Sequence, residues 1–177
     1  MSVASIEQLR ELIAFKQGFS QKERFETSLL AGGIPKGAIT QIFGYGKTEA
    51  TVQFLRDNPK ERVAWIEVDF ELNPVGILQR EVNLTRILFT EAGEHLMWAA
   101  LQALKCQLFS IVILRTKGLN EKDLRKLQLA AEKSNSSVIL LSEEFSPAWP
   151  ISLVAKPHPC RNGTDQKILE LEVLRQR

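Results

Sequence analysis

The sequence predicts an α/β fold: a mostly parallel central sheet, helices on both faces and a C-terminal antiparallel hairpin. Three observations predict it. Short apolar runs alternate with segments of helical periodicity along most of the chain. Several of those runs, such as RVAWIEV (62–68) and FSIVILR (109–115), are apolar throughout, as strands covered on both faces are. A glycine turn, Gly44-Tyr45-Gly46, stands between one such run and a helical segment.

In chain order, residues 6–17 (IEQLRELIAFKQ) place Ile6, Leu9, Leu12 and Ile13 at near-helical spacing and predict an amphipathic helix. Residues 1–24 are accordingly read as an N-terminal helical segment, and 25–177 as one core domain. AGGIPKG (31–37) reads as a turn and AITQIFG as a short strand. Helix EATVQFLRDN follows, then strand 62–68. NPVGILQREV (73–82) predicts a short helix with Pro74 in its first turn, where the missing N–H costs nothing. TRILFT (85–90) is a strand and GEHLMWAALQALK (93–105) a helix. After strand 109–115 come helix 120–135 and strand SSVILLS (136–142). ISLVAK (151–156) and KILELEVLR (167–175) predict a hairpin that extends the sheet antiparallel, joined by the turn-rich PHPCRNGTDQ. Trp65 and Trp98 are expected in the core, with Trp149 partly exposed. His95 is expected to be structural or solvent-facing, and His158 to lie in a loop.

At 177 residues and 44% hydrophobic, the chain can bury a core without disulfide staples. Cys106 and Cys160 fit no metal or disulfide framework. No signal peptide and no run of about 18 apolar residues is present, so a cytoplasmic protein without membrane contact is expected. A net charge of +2 permits nucleic-acid contact without arguing for it. DNA binding is expected to be weak or indirect.

The chemistry turns on Gly44, Gly46, Lys47 and Thr48. A working phosphate loop, G-x-x-x-x-G-K-[ST], wraps backbone N–H groups around a phosphate, and its lysine and hydroxyl reach the terminal phosphates and Mg²⁺. Here Tyr45 alone separates the two glycines. The shortfall is about 10 Å of extended chain, and the cradle cannot close. Thr48 reads equally as a helix N-cap, with Glu49 in the first turn. A metal-supporting acid is expected after the strand SIVIL, yet Leu114 and Arg115 stand there, and Arg115 would repel a cation. Asp69 and Glu67 sit where α/β active sites lie, at the carboxyl end of a strand; capping or a solvated loop accounts for them too. No catalytic or metal-ligating set emerges, and no cofactor is expected.

These segments resemble the RecA-like family, and within it the branch of short proteins called ImuA and SulA. AGGIPKGAITQIFG resembles the lead into that family's phosphate loop, and WIEVDFELNP the segment after its second core strand. GEHLMWAALQALKCQLFSIVIL, LRKLQLAAEKSNSSVILL and LELEVLRQR resemble the following core elements. The resemblance covers about residues 25–175. It implies a RecA-like three-layer fold in which Asp69 corresponds to the catalytic glutamate and Leu114 to the metal-supporting acid, both vestigial. The ImuA reading implies an ATPase-dead accessory factor in translesion synthesis whose partner is a Y-family-like polymerase or a recombinase. The SulA reading implies a division inhibitor that binds the tubulin-like FtsZ. A residual nucleotide-binding protein built around Lys47 and Thr48 is the third alternative. Leu9 and Leu12 of the N-terminal helix, and Arg175 and Arg177 of the tail, are the candidate docking residues.

Overall fold

The computed structural model describes residues 23–161 and 167–177. The helix expected over 6–17, with Leu9 and Leu12, lies outside the described residues.

Seven strands form one sheet: β3 (Ile39–Phe43), β4 (Val63–Glu67), β5 (Ile87–Glu91), β6 (Ile111–Arg115), β7 (Ser137–Ser142), β8 (Ile151–Arg161) and β9 (Lys167–Gln176). Their spatial order is β5-β4-β6-β7-β3-β8-β9. All neighbours are parallel except β8 and β9. A separate antiparallel pair, β1 (Arg24–Phe25) with β2 (Ile34–Pro35), lies ahead of the sheet in sequence.

The central strands are buried because helices cover both faces. Every residue of β4 and of β7 is buried, as continuous apolar strands require. On one face Ile42, Trp65, Ile113 and Leu141 pack with Ala50, Phe54 and Leu55 of α1 (Lys47–Asp57) and Ile77 of α2 (Pro74–Leu78). On the other, Ala64, Ile66, Val112 and Leu114 pack with Leu96, Ala100 and Leu104 of α3 (Leu96–Lys105) and Leu124, Leu127 and Ala131 of α4 (Glu121–Ser134). Each large apolar side chain so buried stabilises the fold by about 1.5–3 kcal/mol.

Local signals set the helix starts. The Asn73 side chain accepts from the Val75 N–H, and Pro74 occupies the first turn of α2. The Asn120 side chain accepts from the Asp123 N–H at the start of α4. No described helix is long and apolar enough to cross a membrane.

The structure corrects the sequence expectations in four places. β8 joins the sheet parallel to β3, so only β9 is antiparallel. β8 also continues through Pro157, His158 and Pro159, placing His158 in a strand rather than a loop. Beyond Ala155 this strand pairs with β9 alone, and prolines fit a strand with one open edge. Trp98 is 64% exposed rather than core, and the N-cap of α1 is Gly46 rather than Thr48. Trp65 is fully buried and Trp149 half-exposed, as expected.

Candidate functional site

The chain leaves β3 at Phe43 and enters α1 at Lys47, so a three-residue turn makes the whole connection. Both of its glycines adopt the left-handed backbone, with φ of 81° at Gly44 and 83° at Gly46. Tyr45 between them is 97% exposed. The Gly44 N–H donates to the Ser142 carbonyl at 3.1 Å, tying the turn to the end of β7. Gly46 also faces the β8–β9 arm: a β-carbon there would stand 3.4 Å from Pro157 Cβ and 3.9 Å from Leu169 Cδ1. No side chain caps α1.

A cleft of about 900 Å³ opens above this turn. Its walls are the start of α1, the start of α2, the β8–β9 arm and the carboxyl ends of β6 and β7. Lys47 forms part of its floor, with a side chain only 11% exposed. Its Nζ donates to Glu143 Oε1 at 2.7 Å. Glu143 belongs to the loop after β7 and is 71% exposed. That hydrogen bond, then the lysine's charge, hold the Glu143 carboxyl below its ordinary value; the charge of Arg115 acts in the same direction. Thr48 lines the cleft without capping the helix.

A second set of charges lies at the neighbouring strand ends. Glu67 and Arg115 are register partners at the carboxyl ends of β4 and β6. β4 leads to α2 on one face and β6 to α4 on the other, which makes a crevice of the kind where α/β proteins bind ligands. Glu67 is 1% exposed. Its Oε1 accepts from Trp65 Nε1 at 2.9 Å, and its Oε2 accepts from the Glu71 and Leu72 N–H groups at 2.9 and 3.3 Å. The Arg115 guanidinium lies 3.9 Å from Glu67 Oε1 and 2.7 Å from Glu71 Oε2. A second cleft, about 560 Å³, adjoins these groups, and Asp69 lies exposed on its wall.

The structure therefore separates the residues nominated from sequence. Gly46, Lys47 and Thr48 line the first cleft together, while Gly44 lies at the start of the same turn without lining it. Leu114 does not: it is fully buried in the core beneath α3 and α4, because successive strand residues face opposite ways, and Arg115 takes the cleft side. The engaged acid at the end of β4 is Glu67, which caps its own loop, while Asp69 stays at the surface.

The tail residues bond to the loop that precedes β8. Arg175 donates to the carbonyls of Pro147, Ala148 and Ile151 at 2.7, 2.8 and 3.2 Å. Burial pushes its pKa down. Arg177 donates to the Trp149 carbonyl at 3.3 Å. Gln41 binds the same loop from the other side, donating to the Glu144 carbonyl and accepting from the Ser146 N–H. The loop from Glu143 to Pro150 is thus pinned while it presents Phe145 and Trp149 to solvent, the Arg125 guanidinium lying over the Trp149 ring at 5.0 Å from its centroid.

Glu143 and Glu71 escape a reading that looks only for phosphate-loop motifs. One signal was available for Glu143: it directly follows a buried strand, the same position that drew attention to Glu67 and Asp69. Fold and cleft together define an α/β protein with a mostly parallel sheet, a three-residue glycine turn and a cleft in which Lys47 pairs with Glu143, Arg80 with Glu49 and Arg115 with Glu71. No protein-family model and no curated protein matches the chain.

Proposed function

We propose that this chain is a non-catalytic RecA-like accessory protein of the DNA-damage response, of the ImuA type, that acts through protein–protein contacts. Its place in damage tolerance rests on the resemblance of AGGIPKGAITQIFG, WIEVDFELNP and the later core segments. A parallel sheet with a glycine turn between a buried strand and a helix supports the RecA-like reading.

The observation that carries the non-catalytic part is the pairing of Lys47 with Glu143. A lysine that must reach a nucleotide's phosphates is instead bonded to a carboxylate of its own chain. The three-residue turn supplies too few N–H groups for a phosphate cradle. Arg115 places a cation where a divalent metal would need an acid, and both Glu67 oxygens are engaged. Among the described residues these features argue against both a phosphate grip and a metal support for nucleotide turnover. Partner contact then carries the function, and any DNA contact is weak or made through the partner.

The test is a pull-down with the full-length chain as bait, from cells treated with a DNA-damaging agent. Recovery of a recombinase or a Y-family-like polymerase is expected. Recovery of the tubulin-like division protein without either of those overturns the reading.

A further inference from the structure

An alternating line of charges crosses the carboxyl end of the sheet. Lys47 meets Glu143, and Arg115 meets Glu71 and approaches Glu67. The sign changes at every step, from α1 through the loop after β7 to β6 and β4. Its members are not equally fixed. Lys47 and Glu67 are buried side chains on regular elements, held there by the packed sheet. Glu143 reaches the lysine from an exposed loop. The cation is built into the floor, and its counter-charge comes from a group that the fold does not bury.

The other acids of this cleft have partners of their own. Both Glu49 oxygens accept from the Arg80 Nε at 2.7 Å, and Glu71 pairs with Arg115. Glu143 is the acid bonded to Lys47. A buried ammonium left without a counter-charge is costly, so an anion at this position is favoured. A carboxylate tethered in the same chain outcompetes a free anion through its high effective concentration. Lys47 itself opens α1, which has no side-chain cap, and a helix start favours negative charge.

We propose that Glu143 is a built-in counter-anion: it occupies the position beside Lys47 that a small tetrahedral anion would otherwise take, and thereby keeps the cleft closed to phosphate-bearing ligands. This rests on the reading of the chain as a protein that does not use nucleotide, and gives that reading its physical cause. The lysine is then satisfied within the chain, and the loop carrying Phe145 and Trp149 is tied to the start of α1 as well as to Gln41 and Arg175.

The experiment uses the full-length chain at low salt, with inorganic pyrophosphate as the probe and thermal unfolding as the readout. Glu143 is exposed on a loop, so Glu143→Ala is expected to fold; Glu143→Gln keeps the shape and removes only the charge. Saturable stabilisation is expected for both variants at pyrophosphate concentrations about tenfold or more below those the wild type requires. Adding Lys47→Ala to Glu143→Ala is expected to abolish the gain. Equal responses in wild type and variants, no response in either variant, or a gain that survives Lys47→Ala each overturn the proposal. Those failures are distinct from failure of the functional reading, which would appear as Mg-ATP hydrolysis by the wild type.

Discussion

Lys47 Nζ lies 2.7 Å from Glu143 Oε1, so the first residue of α1 is bonded to the first residue after β7. The contact joins the helix that follows β3 to the loop that follows β7, two adjacent parallel strands that pair along their whole shared length.

This contact sets a pH dependence. The Lys47 hydrogen bond holds the Glu143 carboxyl below its ordinary value of 4.5. A carboxyl with a lowered folded-state pKa contributes stability that is present above its unfolded value and is lost as pH falls through the folded one. Denaturant unfolding of wild type and Glu143→Gln should therefore differ at neutral pH and converge in acid, below the ordinary carboxylate range. A difference that grows in acid would contradict the assignment.

Arg175 should behave as a structural residue. Arg175→Ala removes three donors from the Pro147, Ala148 and Ile151 carbonyls. Charged hydrogen bonds of this kind contribute about 1.5–3 kcal/mol, so a loss of at least that order is expected in urea unfolding. Amide hydrogen exchange should rise across residues 144–151. Lysine in its place should rescue little, because an ammonium cannot reproduce the planar fork.

How much of this was legible in the sequence depends on range. Apolar runs gave the strands β4, β6 and β7, Pro74 marked the start of α2 and helical periodicity gave α4, because those signals lie within a few residues. The direction of β8 was not legible. Pairing it with β3 requires a contact between Ile39 and Ile151, which no local pattern encodes. Pro157 and Pro159 read as turn residues, and only the open edge beside them lets a strand pass through. Lys47 and the shortened glycine turn could be found by motif. Glu143 could not be assigned to Lys47, because its partner lies 96 residues away. Trp98 read as core from an Ala/Leu-rich helix, yet the helix turns it outward.

Glu67 should be required for folding rather than chemistry. In Glu67→Gln the side chain can no longer accept from Trp65 and from the Glu71 and Leu72 N–H groups at once. Leaving buried donors unpaired costs about 1–3 kcal/mol. The unfolding midpoint should fall accordingly, and the Trp65 emission should shift because its indole N–H loses its acceptor.

Gly46→Ala tests the turn. A β-carbon at a φ of 83° strains the backbone and meets Pro157. A cost of about 1–3 kcal/mol is expected. Ala at Tyr45, which is solvent-exposed, should leave stability within about 0.5 kcal/mol of wild type.

The most direct measurement is thermal unfolding of the full-length wild type across a titration of Mg-ATP, with released phosphate assayed in the same samples. A cleft whose lysine is bonded to Glu143 and whose Arg115 is paired with Glu71 predicts an unchanged melting temperature and no phosphate release. A saturable rise in melting temperature accompanied by phosphate release would contradict it.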